Sequence, residues 1–392
     1  VGSSGSGKTY NMLIQAMHTR MSGIQVIIIA PLKGKEFRRS CKAMGGQLIR
    51  IGPGSPSCIN VMEIRKTSER AALVAKYLDG EEEEEESILS EKIASLEMLF
   101  EIMIPDLSNE EEQLLNGHII KTYRKYGITD DNRSLADPEN PENYRPMPTL
   151  RDLYDELAGD ARMERVRNIL SKYVTGSASN FSKPTNVSLD NMYTVLDLGA
   201  FEHNTKMLPV AIYIALDLVN DKVKEDRTVN KRIFIDEIWK LIGKGAPPMA
   251  AQAVLEMYKT YRGYGAGVVV ATQELGDFFS LDGGAYAQAI LNSSPLGMIM
   301  STETSALNQL ADILGLRTSE KATIMNLEVG EALLTGSGNS VPIRIISSKL
   351  EHRLITTDNR ETSSIMEEEM QRRHSGASEG EGEEPEILAE EE

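Results

Sequence analysis

The chain opens on Gly2-Ser3-Ser4-Gly5-Ser6-Gly7-Lys8-Thr9, a complete G-x-x-x-x-G-K-[ST] run. No other stretch constrains the fold as much. A loop of this kind carries the chain from a buried strand into the first turn of a helix while aiming its N–H groups at a polyphosphate. Glycine is needed wherever a Cβ would block the turn or the anion. Lys8 is spaced to reach the β- and γ-phosphates of a nucleoside triphosphate, and the Thr9 hydroxyl to complete a Mg²⁺ shell. The expected cradle is Gly5, Ser6, Gly7, Lys8, Thr9 and Tyr10, where the dipole of the following helix also faces the phosphates. The bland alternative is a Gly/Ser-rich surface loop. Only Val1 precedes the loop, so the numbering is expected to start inside a longer protein.

Short β-branched apolar runs alternate with helical patterns along the chain, as expected for an α/β fold with a parallel sheet wrapped by helices. Strands are expected at residues 25–29, 47–51, 193–198, 232–235, 267–271 and 296–301. Two later runs, 330–334 and 341–346, flank a Gly/Ser/Asn loop at 335–340 and predict a C-terminal β-hairpin that ends the sheet. Between about Ser68 and Lys183 the β signal disappears and only helical spacing remains. The expected division is a core over 1–67 and 184–350, an all-helical insertion over 68–183, and a C-terminal extension over 351–392.

Ile233-Phe234-Ile235-Asp236-Glu237 reads as a buried strand with two acids emerging at its carboxyl end, where ligands of open α/β sheets bind. Asp236 is placed to hold Mg²⁺, and Glu237 to orient and polarise an attacking water. An isolated apolar-Asp-Glu is a weak signal, but paired with the phosphate loop it becomes a strong one. The following strand runs into Thr272-Gln273, whose amide is a candidate contact for the γ-phosphate or the water. Arg262 and Arg344 are candidates for an arginine supplied to a neighbouring subunit's site. No Asn-Lys-x-Asp guanine reader is present, so ATP is expected rather than GTP.

Charge says less than its total suggests. The net charge of −17 is concentrated in the run Glu81–Glu86 and in the stretch from Glu367 to Glu392, which holds eleven Glu against two Arg; the rest is near neutral. That tail is expected to be disordered. Two cysteines offer neither a disulfide framework nor metal-ligand spacing, and the five histidines form no ligand pair. No signal peptide and no apolar run of about 20 residues is visible.

With Gly2–Thr9, Phe234–Glu237 and Ala271-Thr272-Gln273 in view, the chain resembles the FtsK/HerA group of P-loop ATPases. More specific are Gly45-Gly46-Gln47-Leu48-Ile49-Arg50-Ile51-Gly52-Pro53-Gly54 with Ile59-Asn60, Pro148–Leu153, Asn180-Phe181 to Asn186-Val187 and Val195–Leu198. These resemble segments of the cytoplasmic ATPase of type IV secretion and conjugation systems, TraC- and TrbE-like, over residues 1 to about 348. The resemblance implies a RecA-like fold and an ATP- and Mg²⁺-dependent motor that works as a homo-oligomer, often a hexamer. It further implies a cytoplasmic position at the inner face of the cell membrane, among other secretion components, and DNA or protein as the transported substrate. One departure is that the family's Asp-Pro after the second strand is Ala30-Pro31 here, followed by Lys33 and Lys35, candidate nucleotide or DNA contacts against a solvated-surface alternative. Two other readings stand beside the secretion motor. One is a DNA-translocating coupling protein, for which no long basic loop is visible. The other is an ATP-gated scaffold with little turnover, which would have no need of Glu237.

Overall fold

The computed structural model describes residues 1–3, 5–66, 87–204, 206–243, 248–336 and 338–378. The run Glu81–Glu86 and the end of the acidic tail lie outside the described residues.

Five parallel strands form the central sheet: β1 Gln25–Ala30, β2 Gln47–Arg50, β3 Tyr193–Asp197, β4 Lys231–Ile235 and β5 Ala266–Val270, in the order β2-β3-β1-β4-β5. β1 is buried along its whole length, as an uninterrupted Val-Ile-Ile-Ile run predicts for a strand covered on both faces. Its alternation divides the core. Val26, Ile28 and Ala30 pack with Met12, Leu13, Ala16 and Met17 of helix α1 (Lys8–Met21) and Cys41 of helix α2 (Arg38–Ala43). Ile27 and Ile29 face the other way, into a cluster with helix Leu208–Glu225 and the long helical stretch.

That stretch contains helices Ile88–Met103, Asn109–Lys125, Leu150–Glu156 and Glu164–Val174. Reciprocal capping boxes start two of them, Ser108 with Glu111 and Thr149 with Asp152. Phe100, Leu115, Ile119, Leu153 and Leu170 belong to the same buried cluster as Ile29. The helices therefore build on the face of the sheet rather than around a core of their own.

Three expectations need correction. Residues 296–301 do not extend the parallel sheet. Strand β6 (Leu296–Met300) pairs antiparallel with β7 (Glu331–Gly336), which pairs with β8 (Asn339–Arg344) in a second sheet. The hairpin loop is also shorter than 335–340. Thr335 pairs with Ser340 and Gly336 with Asn339, and the turn closes on Gly338 at φ 78°, the left-handed conformation such a tight turn requires. The two sheets meet at the start of the chain: Ser3 N–H donates to the Ser301 carbonyl (2.9 Å), Met300 N–H to Val1 (2.8 Å) and Gly2 N–H to Thr272 (3.4 Å).

A third correction concerns the tail, which continues as a helix, Asn359–Ser378, beyond the point at which disorder is expected. Its anchor is tertiary, since Glu368 accepts from Arg353 at 2.7 Å. The preceding helix, Lys349–Ile355, lies against α1 and α2, with His18 2.6 Å from Glu351. No described helix is long and apolar enough to cross a membrane.

Candidate functional site

The loop ahead of α1 adopts the shape its glycines permit. Gly5 and Gly7 take φ 78° and 97°, and a Cβ on Gly2 would stand 2.7 Å from Ser6 Oγ and 2.8 Å from Met300 Cβ. Gly7 is the N-cap of α1 and offers no side-chain cap. The first-turn N–H groups of Lys8, Thr9 and Tyr10 thus have no intrahelical acceptor, which is the arrangement an anion binds. Lys8 Nζ donates to the Ser3 carbonyl at 2.6 Å, and Ser6 Oγ donates to the same carbonyl at 2.8 Å. The Tyr10 hydroxyl points elsewhere, to Ser347 Oγ (2.5 Å) and His352 Nδ1 (2.9 Å), leaving that residue's backbone as its contribution to the cradle.

β4 delivers the two acids. Asp236 and Glu237 are buried directly after Ile235, and Asp236 N–H continues the sheet by donating to the Ile29 carbonyl (3.1 Å). Glu237 sits at φ 50°, a left-handed conformation a non-glycine residue adopts only under constraint. Two bonds hold it: its N–H donates to Asp236 Oδ1 (3.0 Å), and the next N–H, of Ile238, donates to the Ala271 carbonyl (2.9 Å). Its carboxylate accepts from the Trp239 indole at 2.8 Å. Burial pushes the Asp236 carboxyl up to about 7, with Glu237 adding to the rise. Burial likewise raises Glu237, against the opposing pull of the Trp239 hydrogen bond and the Lys8 ammonium. Lys8 is lowered by burial and raised back by Glu237 and Asp236. Lys8 and the acid pair therefore share one electrostatic environment.

Gln273 is half-buried beside this group, and its backbone N–H favours the ionised form of Glu237. The hydroxyl of Thr272, just before it, is buried with no hydrogen-bond partner. The arginines are not drawn in. Arg262 is exposed on the turn Tyr261–Tyr264 at the amino end of β5, the opposite end of the sheet from Lys8. Arg344, also exposed, ends β8 opposite Glu331, next to Gly330, whose N–H lies 3.4 Å from the Ser6 carbonyl. Sequence reasoning missed Trp239 and Glu36. The first carries no motif, and the second, on the turn Gly34–Phe37 after β1, raises the Asp236 carboxyl by its charge.

Among the described residues no cluster of three His, Cys, Asp or Glu could cage a metal. Mg²⁺ suits the residues that are present, because it keeps several waters and takes one or two protein oxygens beside phosphate oxygens. A buried carboxylate at Asp236 and a hydroxyl at Thr9 supply that set. A separate cavity of about 730 Å³ lies between helices Ile88–Met103 and Leu208–Glu225. Lys92 pairs with Asp217 at 3.0 Å and Arg65 with Asp221 along its wall, and the phosphate loop is not part of it.

The model of the TraG P-loop domain matches residues 158–370, more than half of the chain, including Asp236, Glu237 and Gln273. No curated protein sequence matches. Among solved structures, VirB4 of Thermoanaerobacter pseudethanolicus superposes with a TM-score of 0.76 at 22% identity, covering 89% of each chain. The unbound bacterial conjugative coupling protein TrwBdeltaN70 gives a TM-score of 0.54 at 15% identity, over 88% of this chain and 83% of that one. TrwB in complex with ADP and Mg²⁺ also scores 0.54, at 14% identity, over 89% of this chain and 84% of that one. These likenesses establish the RecA-like P-loop fold.

Proposed function

The chain belongs to the TraG P-loop domain family, and from that premise we propose that it is the ATP-hydrolysing motor of a type IV secretion or conjugation machine. In this reading it works as a homo-oligomer at the inner face of the membrane, energising pilus assembly or the transfer of DNA or protein. The observation that carries the hydrolytic reading is the convergence of an uncapped helix start, Lys8 and the Asp236–Glu237 pair at the carboxyl end of one sheet. A site that only held nucleotide would not need a buried, strained acid beside the magnesium ligand.

ATP binds with its phosphates on the N–H groups of residues 5–10, and Lys8 exchanges the Ser3 carbonyl for the β- and γ-phosphates. Asp236 and the Thr9 hydroxyl would hold Mg²⁺, which would supply charge neutralisation to the phosphates. Glu237 orients a water and accepts its proton while the water oxygen bonds to the γ-phosphorus. The bond from that phosphorus to the β–γ bridging oxygen breaks, and ADP leaves with the electron pair.

The test is ATP hydrolysis by the full chain across protein concentration, for wild type, Lys8→Ala and Glu237→Gln. Turnover per subunit should rise with concentration. Lys8→Ala should lose nucleotide affinity, whereas Glu237→Gln should bind ATP and lose turnover by about 10²–10⁴-fold. Wild type that binds ATP but does not turn it over at any concentration would return the scaffold reading. Turnover that requires DNA would favour the coupling-protein reading instead.

A further inference from the structure

The turn after β1 holds a second strained residue beside the site. Only four described non-glycine residues have positive φ, and two of them, Lys33 (φ 54°) and Glu237 (φ 50°), follow adjacent parallel strands. The register sets Ile29 against Ile235, so Lys33 lies four residues past one partner and Glu237 two past the other. The left-handed conformation carries a steric cost for a lysine that a glycine would not incur. A lysine is nevertheless the residue found there.

The surroundings enforce this turn. Asp197, buried at the end of β3 on the other side of β1, stands so close to Gly34 that a Cβ there would fall 2.0 Å from its Oδ1. Glu36 N–H donates to the Lys33 carbonyl at 2.9 Å, and Phe37 anchors the segment in the core. The backbone of Lys33 is thereby held at the rim while its side chain is exposed. No ion pair within 4.0 Å involves Lys33 among the described residues. Its charge still acts on the site, lowering the carboxyls of Asp236, Glu237 and Glu36 and the ammonium of Lys8. Lys35, two residues on, is exposed as well.

We propose that Lys33 is a second phosphate-facing cation, contacting the γ-phosphoryl group of bound ATP from the β1 side and stabilising the charge that develops there during hydrolysis. The inference rests on the reading of Gly2–Thr9, Asp236 and Glu237 as the hydrolytic site. As the γ-phosphoryl group passes from the bridging oxygen to the water oxygen, negative charge spreads over its equatorial oxygens. An ammonium carried beside that charge lowers the barrier without giving up its proton. The strain at Lys33 thus has a chemical counterpart, as it does at Glu237.

The experiment compares full-length Lys33→Met, Lys33→Arg, Lys35→Met and Glu237→Gln, measuring kcat, KM and the affinities for Mg²⁺–ADP and for a non-hydrolysable ATP analogue. Lys33→Met should lose kcat by about 10²-fold, bind ADP as wild type does and bind the analogue about tenfold more weakly. Lys33→Arg should recover most of the activity, and Lys35→Met should behave as wild type. Wild-type kcat in Lys33→Met would overturn the proposal. So would an equal loss of ADP and analogue affinity, which would mean only that the turn had collapsed. Full turnover in Glu237→Gln would instead sink the underlying site assignment, so the two failures remain distinguishable.

Discussion

Replacing Asp236 with asparagine should make the nucleotide-free protein more resistant to unfolding as pH rises, although the same change abolishes function. Asp236 is 3% exposed, and burial raises its carboxyl from 3.8 to about 7. An acid with a folded value above its unfolded one takes nothing from stability below pH 3.8 and subtracts progressively more until about pH 7. At about 1.4 kcal/mol per pH unit, the full subtraction is a little over 4 kcal/mol. Only part of that range is accessible, because the chain has a pI near 4.9. Between pH 5.5 and pH 8 the wild type should lose about 2 kcal/mol that Asp236→Asn does not.

The asparagine keeps an oxygen for the Glu237 N–H, but its amide hydrogens are left without an evident acceptor, a cost of about 1–3 kcal/mol. That cost does not depend on pH, so the decisive quantity is the change in the gap between the two proteins and not its sign at one pH. Trp239, the single tryptophan, donates to Glu237 and makes a local probe for urea unfolding by fluorescence. A gap that stays constant from pH 5.5 to pH 8 would refute the reasoning. Mg²⁺ with ATP should stabilise the wild type more than the variant, since the cation removes the electrostatic cost only where a carboxylate is present.

Gly34→Ala should cost about 1–3 kcal/mol, because its Cβ would overlap the Asp197 carboxylate, and should reduce turnover by displacing the Lys33 turn; thermal melts and steady-state kinetics read the two effects. Glu111 is held near 2 by the Arg165 guanidinium, with contacts of 2.8 and 2.7 Å, and by the Ser108 N–H. Its contribution to stability should be fully present above pH 4.5 and fade as pH falls toward 2, so a Glu111→Gln deficit in melting temperature at pH 7 should shrink over that interval. Arg262→Ala should lose turnover on its own and regain a share when mixed with Glu237→Gln, because Arg262 lies at the end of the sheet away from Lys8 and can serve only another subunit. No recovery on mixing would remove it as a trans-acting arginine.

Strands β1 to β5 were legible within a residue or two because most are short apolar runs, and β1 and β3 are buried along their whole length. The phosphate loop and the acid pair were legible because their chemistry is written in contiguous residues. β6 was not, since Leu296-Gly-Met-Ile-Met reads equally well as a parallel or an antiparallel strand. Its choice of partner depends on β7, more than thirty residues later, and on a face that leaves Leu296 68% exposed. The helix Asn359–Ser378 escaped notice because the Arg353–Glu368 contact that anchors it is tertiary, while its composition alone suggests solvated chain. Lys33 was legible only as a candidate contact against a solvated-surface alternative for a related reason: only the pairing of β1 with β4 brings it beside Glu237. These cases share a cause. Asp236, Glu237, Gln273 and Lys33 all emerge from the ends of parallel strands, where a one-residue slip in register would turn each to the opposite face. The register that buries Ile29 against Ile235 therefore also aims the acids, and the hydrophobic pattern of the core and the geometry of the chemistry are specified together.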